Sequence, residues 1–168
     1  MPENVSIVDT LENIKLPKFK AALVISDKTI TDHEILSKSV VYRPKSLVVG
    51  VGLHRDTDKD TIEEGINAVL KEKGLSFQSI RNISSINREV NIRGLEEFSK
   101  KYGLPVQIYE KNVLAKVNVP NPSQTVQKFE GTPSVSEASS LLSSKGELIV
   151  PKQKFPPNLT VAISRISY

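Results

Sequence analysis

LVVGVG, at residues 47–52, is the segment of this 168-residue chain that says most about its fold. Three valines and a leucine make it apolar and rich in β-branched side chains, and glycines keep it short. An apolar run of this kind is typical of a strand that is buried on both faces, as in a parallel sheet covered by helices. We therefore predict a central β-strand at this position.

An amphipathic helix is predicted directly after that strand. Thr57 or Asp58 can cap its N-terminus, and Gly74 lies where a glycine commonly ends a helix. Apolar side chains recur at the spacing of one helix face, at Ile62, Ile66, Val69 and Leu70. The chain therefore passes from a strand through a loop into a helix.

The alternation of strands and helices continues beyond this unit. Residues 80–86 and 106–109 have the pattern of strands. A helix is predicted between them at 94–102, ended by Gly103. Strands that alternate with helices favour a mainly parallel sheet.

The last third of the chain contains one more helix and two strands. Ser134 and Glu137 match the Ser-x-x-Glu capping pattern, which predicts that a helix begins there. Residues 147–150 and 159–163 are predicted strands, joined by a loop over residues 152–158. The predicted apolar face of the helix consists of Val135, Ala138, Leu141 and Leu142.

Together these elements predict the α/β fold class: a three-layer α/β/α domain with a mainly parallel or mixed sheet. Residues 1–41 hold too few apolar residues to form a core alone, so we predict a short N-terminal extension there. Pro44 restricts itself and the preceding residue to extended conformations, which places the boundary nearby. The main domain is therefore predicted at 42–168.

The composition excludes several classes of function. The chain has no cysteine, which excludes disulfides, thiolate nucleophiles and cysteine-rich metal sites and favours an intracellular, cytoplasmic protein. Its longest apolar run, residues 21–25, is far shorter than the ~20 residues that a membrane-spanning helix needs. Aromatic residues make up only 5% and tryptophan is absent, so a stacking platform for nucleic acid is poorly supplied. The net charge of +4 permits anionic partners; we expect neither membrane nor nucleic acid among them.

The loop after the first strand carries the first candidate site residues. Gly50 and Gly52 begin a dinucleotide-binding fingerprint, but Arg55 stands where its third glycine is needed. A loop of small residues still presents backbone N–H groups at the carboxyl edge of the sheet, where open α/β folds bind ligands. His54 is a candidate for proton transfer, and an exposed histidine without function fits equally well. Neither His54 nor His33 has carboxylates at metal-site spacing, so no metal is expected.

A second candidate site lies at the turn before the last predicted helix. Gly131, Thr132 and Ser134 place two hydroxyl groups beside a helix N-terminus, which favours a carboxylate or phosphate. If Glu137 closes back on Ser134, those amides are already partly satisfied and the turn is only a cap. Lys152, next to a predicted strand end, is either a further contact or a solvated side chain.

Three segments of the chain form a characteristic combination. They are YRP at 42–44 with LVVGVGLHR at 47–55, VPNPS at 119–123, and GTPSVSEA at 131–138 with LIVPKQK at 148–154. In this order and spacing they resemble the C-terminal domain of the cobalamin biosynthesis protein G family, which includes cobalt-precorrin-5A hydrolase and the related CobE-type proteins. The resemblance extends over about residues 42–166.

The resemblance implies an enzyme that opens the lactone ring of a corrinoid, cobalt-precorrin-5A, with release of acetaldehyde; the alternative is a non-catalytic module that binds and transfers a corrinoid. It implies no cofactor, since cobalt enters with the substrate. Protein partners would be an N-terminal hydrolase domain or other enzymes of the pathway. His54 is the candidate catalytic residue. The implied substrate-binding residues are Gly50, Gly52, Arg55, Asn121, Ser123, Gly131, Thr132, Ser134 and Lys152.

The chain departs from the family pattern in three places, one of which is the stretch at 86–95, where only Ile86, Gly94 and Leu95 match. After the second glycine the family commonly has Cys-Arg-Arg-Gly, whereas residues 53–56 read LHRD, so only Arg55 matches. Full-length hydrolases of the family also have a further N-terminal domain, and residues 1–41 resemble only the end of the central region. A fragment, a split subunit or a reduced homologue would each fit this pattern.

Overall fold

The structure is a computed structural model, and it describes residues 5–14, 19–88, 90–122 and 134–167. The chain divides into two compact units, one formed by Met1–Ser26 with Ile30–Tyr42 and the other by Asp27–Thr29 with Arg43–Tyr168. Among the described residues, none of the helices combines the length and the hydropathy that a membrane-spanning helix needs.

The first unit is built on two parallel strands, β1 (Ala22–Ile25) and β2 (Ser39–Tyr42). Helix α1 (His33–Ser37) connects them, and the Asp32 carboxylate caps it by accepting hydrogen bonds from two backbone N–H groups. A small core forms from Val24, Ile30 and Ile35. A 3-10 turn at Leu11–Asn13 completes the described part.

The second unit contains a five-stranded sheet in the order β5-β4-β3-β7-β6. Strands β3, β4 and β5 are parallel, whereas β7 is antiparallel to both β3 and β6. Its strands are β3 (Leu47–Leu53), β4 (Ile80–Ile86), β5 (Val106–Tyr109), β6 (Glu147–Phe155) and β7 (Leu159–Arg165). Its described helices are α2 (Lys59–Glu72), α3 (Arg93–Tyr102), α4 (Lys111–Leu114) and α5 (Val135–Ser144), with a 3-10 turn at Phe77–Ser79.

The central strand β3 is covered on both faces. On one face Leu47, Val49 and Val51 join the main apolar core, which also contains buried side chains of α2 and α3. On the other face α5 packs against β3, β4 and β7. Successive side chains of a strand point to opposite faces, so the two helix layers meet alternate residues. The predicted three-layer α/β/α domain with a mixed sheet is confirmed.

Helix α5 approaches the sheet very closely at Gly50. A Cβ atom at this position would lie 1.9 Å from the backbone carbonyl oxygen of Ser136, which only glycine avoids. Around this contact the layer between helix and sheet is polar. Ser139 Oγ lies 3.2 Å from Ser84 Oγ, and Ser140 Oγ lies 2.8 Å from Ser164 Oγ, so these buried hydroxyls satisfy one another.

Most predicted element ends are confirmed. The Asp58 carboxylate caps α2 by accepting the N–H of Thr61 at 2.7 Å, and Gly74 and Gly103 have positive φ after their helices. The predicted loop at 152–158 is wrong in its first half, because β6 continues through Pro151 to Phe155. Strand β6 is an edge strand with register shifts around Pro151, and an edge tolerates a residue that has no N–H group.

Candidate functional site

A cavity of about 240 Å³ opens at the carboxyl end of β3. Its walls are the end of β3, the N-terminus of α5 and the hairpin formed by β6 and β7, and we call it the hairpin cavity. Four residues that the sequence nominated line it together: Gly52, His54, Ser134 and Lys152. These residues are up to a hundred positions apart in the chain, and they meet because β3 and β6 end, and α5 begins, at this edge of the sheet.

The remaining nominated residues have other positions. Gly50 and Arg55 are not among the described residues that line the hairpin cavity; Gly50 lies inside β3 against α5, and Arg55 is exposed in the loop. Asn121 also lies outside the lining and contacts residues behind the cavity wall. Ser123, Gly131 and Thr132 lie outside the described residues, so their predicted roles stay predictions.

Lys152 is held in place on the cavity wall. Its Nζ donates a hydrogen bond to the backbone oxygen of Asn121 at 2.8 Å, and its backbone N–H donates to Glu137 Oε1 at 2.9 Å. Burial lowers the pKa of the Lys152 ammonium; the negative charge of Glu137 opposes this effect and the positive charge of Lys154 adds to it. A cation in this position is already partly desolvated before any ligand arrives.

Glu137 has a role that its capping pattern did not indicate. It is completely buried, and its carboxylate accepts hydrogen bonds from the Asn121 backbone N–H at 3.2 Å, Asn121 Nδ2 at 2.9 Å and the Lys152 backbone N–H. The predicted reciprocal cap with Ser134 is therefore wrong, and the Ser134 side chain makes no capping hydrogen bond. A buried carboxylate needs several donors, and the 121 loop and β6 supply more of them than the capping arrangement would.

Ser134 Oγ, on a residue that is 1% exposed, and Asn158 Oδ1 belong to lining residues and lack a hydrogen-bond partner among the described residues. An unsatisfied buried polar atom costs about 1–3 kcal/mol, so a hydrogen bond from a ligand to either atom would be favourable. Ser134 also precedes the first turn of α5, where backbone N–H groups and the helix dipole favour an anion.

Thr57 ties the His54 loop to the hairpin. The backbone N–H of His54 donates to Thr57 Oγ1 at 3.0 Å and to the Asn158 backbone oxygen at 3.1 Å, and Thr57 Oγ1 donates to the same oxygen at 3.0 Å. His54 itself is exposed at the rim. The sequence predicted Thr57 only as a possible helix cap. Its contact with residue 158 could not be predicted, because the two residues lie a hundred positions apart and local sequence patterns do not show such a contact.

The charge of the lining is one-sided. Arg88, Lys152 and Lys154 contribute cations, and no carboxylate occurs among the described lining residues. Within the described ranges, no group of three or more His, Asp or Glu is arranged to hold a metal ion. A cationic cavity with a helix N-terminus, and with a hydroxyl that has no partner in the described part of the chain, is suited to carboxylate groups.

Comparison with known proteins identifies the family of this chain. Residues 47–164 match the family described as Cobalamin synthesis G C-terminus. The chain belongs to this family. The match includes the strand β3, the whole hairpin cavity and α5, and it confirms the resemblance predicted from the sequence.

A curated relative matches this chain along its whole length. A cobalt-precorrin-5A hydrolase of Priestia megaterium is 30% identical over 170 residues. The match covers 100% of this chain and 46% of the relative. The chain thus spans about half the length of that curated relative.

Solved structures of the family share the fold. CobE, a protein of the cobalamin biosynthetic pathway, superposes with a TM-score of 0.70 at 21% identity over 73% of this chain and 95% of CobE. A cobalamin biosynthesis protein G homologue from Sulfolobus solfataricus superposes with a TM-score of 0.59 at 19% identity, over 92% of this chain and 48% of the homologue. At such identities the likeness shows the fold alone.

Proposed function

We propose that this chain acts in cobalamin biosynthesis as the C-terminal part of a cobalt-precorrin-5A hydrolase, in the cytoplasm, with the hairpin cavity binding carboxylate side chains of the corrinoid. The observation that carries the proposal is the meeting of Lys152, Lys154 and Arg88 with the unsatisfied Ser134 hydroxyl in a member of this family. Corrinoid intermediates are edged with acetate and propionate groups, which such a site recognises by charge-assisted hydrogen bonds.

The size of the cavity defines which part of the substrate it takes. At about 240 Å³ the hairpin cavity is below the range of pockets that enclose a drug-sized ligand, so it is suited to one edge of a macrocycle. Lys152 would bind a carboxylate at a lower desolvation cost than a fully hydrated lysine, because the protein already desolvates its ammonium group in part. Positioning of the macrocycle is the contribution we assign to these residues.

Opening of the lactone requires water to attack its carbonyl carbon, the ring C–O bond to break, and a proton to reach the departing oxygen. His54 at the cavity rim is the residue that we propose to move that proton. The other half of the enzyme, as suggested by the length of the Priestia megaterium relative, would supply the rest of the reaction site. Cobalt enters with the substrate in this proposal, and the chain needs no cofactor of its own.

The binding proposal is tested by titrating the protein with cobyrinic acid, whose side chains are free carboxylates, and with its amidated analogue cobinamide, both followed by absorbance. We expect cobyrinic acid to bind more tightly. Lys152→Gln should weaken its binding about tenfold or more, which corresponds to loss of one charge-assisted hydrogen bond. Lys71→Gln, an exposed change on α2, is the charge-matched control. Equal affinities of the wild type and Lys152→Gln would contradict the proposed carboxylate site.

A second assay separates the hydrolase from the non-catalytic alternative, which the CobE-like fold keeps open. The chain is combined with the N-terminal portion of the Priestia megaterium relative, and acetaldehyde release from cobalt-precorrin-5A is measured. Release that needs both parts, and that falls in His54→Ala, supports the hydrolase. Corrinoid binding by the chain alone, with no acetaldehyde in the combination, supports a binding and transfer module.

A further inference from the structure

A second cavity, of about 350 Å³, lies between the carboxyl ends of β4 and β5 and one side of α3. We call it the α3 cavity. Apolar side chains form its floor, among them the buried Ile86, Ile92 and Leu95. A concave apolar surface with a few polar groups at its rim is the usual form of a small-molecule site.

The rim of the α3 cavity combines exposed apolar side chains with charged ones. Ile108 and Val90 are 47% and 50% exposed, although both are large apolar residues. Arg88 and Lys100 place cations beside them, and Glu96 contributes a carboxylate. Exposed apolar side chains around a cavity mark a surface that a ligand can cover.

Arg88 joins the two cavities, because it lines both the hairpin cavity and the α3 cavity. It lies two residues after the end of β4, at the same carboxyl edge of the sheet as Gly52 and His54 near the end of β3. A ligand that reaches across Arg88 would therefore meet a cationic site on one side and an apolar site on the other. A small metabolite would fill only one of these two sites.

We infer that the α3 cavity takes the methyl-bearing apolar edge of the same macrocycle whose carboxylates the hairpin cavity binds, with Arg88 between the two contacts. This inference rests on the proposed function and adds a second subsite to it. The assignment follows from complementarity: the apolar floor cannot satisfy carboxylates, whereas burying ring carbons and methyl groups there is favourable. Arg88 and Lys100 place positive charge in the lining of the same cavity.

The test replaces apolar rim contacts by uncharged polar ones of similar size. Ile108→Asn is the first variant and Val90→Asn the second; each position is about half exposed, and the second variant serves if the first does not fold. Val113→Asn is the matched control, since Val113 is 40% exposed and lies outside the described lining of both cavities. Circular dichroism checks folding, and affinities for cobyrinic acid and cobinamide are measured by absorbance.

We expect Ile108→Asn or Val90→Asn to weaken the binding of both corrinoids by about fivefold, as expected for loss of a half-buried apolar contact. Val113→Asn should leave both affinities unchanged, and Lys152→Gln should affect cobyrinic acid alone. If the folded rim variants bind both corrinoids like the wild type while Lys152→Gln weakens cobyrinic acid, the second subsite is overturned and the proposed function stands. If the wild type binds neither corrinoid, the proposed function and the subsite both fall.

Discussion

At the scale of single residues, the hairpin cavity depends on a buried carboxylate that never reaches its surface. Glu137 accepts three N–H groups, two from Asn121 and one from the backbone of Lys152. Lys152 itself lines the cavity, and its ammonium group donates to the Asn121 backbone oxygen. Glu137 is thus a positioning residue, since it acts through Lys152 and Asn121.

Replacing Glu137 by Gln should lower both stability and corrinoid binding. The amide keeps one acceptor oxygen but turns an N–H group toward a backbone donor, so we expect the free energy of unfolding to fall by about 2–3 kcal/mol. Urea unfolding measures this loss, and Glu64→Gln, an exposed change on α2, should stay within about 0.5 kcal/mol of the wild type. A Glu137→Gln protein as stable as the wild type would show that the buried network contributes little.

At the scale of elements, α5 determines the shape of the cavity. The helix presents Val135 and Ala138, with the half-buried Leu141 and Leu142, to a small cluster beside α4, as its apolar pattern predicts. Its other buried face is made of serines, and Ser139 and Ser140 bond to serines of the sheet. Small side chains let the helix approach the sheet until the Ser136 carbonyl would meet any Cβ at Gly50.

Gly50→Ala tests this close approach. The added methyl group would overlap a backbone carbonyl, so the helix must shift, and we expect a loss of about 3 kcal/mol in unfolding free energy. The shift also moves Ser134 at the helix N-terminus, so cobyrinic acid should bind more weakly. Gly103→Ala, at a positive φ with open space, should cost about 1 kcal/mol and leave affinity unchanged. Unaltered stability in Gly50→Ala would contradict the packing described here.

At the scale of the whole molecule, the second unit is closed by contacts between residues far apart in the chain. Asp27 Oδ2 accepts hydrogen bonds from Arg165 Nε at 2.8 Å and from Ser46 Oγ at 2.9 Å. Asp27 thereby connects the start of β3 with the end of β7. Burial acts to raise the pKa of Asp27, but the hydrogen bonds from Arg165 and Ser46 outweigh it, so the pKa is lowered.

This lowered pKa predicts how stability depends on pH. Because the folded pKa lies below the unfolded value of about 3.9, the contribution of Asp27 is complete above that value and is lost as the pH falls through the folded pKa. Asp27→Asn should therefore cost about 1–2 kcal/mol at pH 7, a modest amount because the pair is partly solvated. The difference in unfolding free energy between the two proteins should shrink below about pH 4. A difference that stays constant down to pH 2 would count against the pair.

The sequence by itself determined the strands of the second unit and its helices α2, α3 and α5, because apolar spacing, caps and glycines are local signals. It also indicated the family, because three short segments occur in the order that is typical of that family. Four of the site residues predicted from the sequence line the hairpin cavity. Only the tertiary structure decided that Glu137 turns away from its cap, that β6 runs through Pro151, and that serines face the sheet. These features depend on partners many residues away, and a buried polar group follows its donors and acceptors in space rather than its neighbours in sequence.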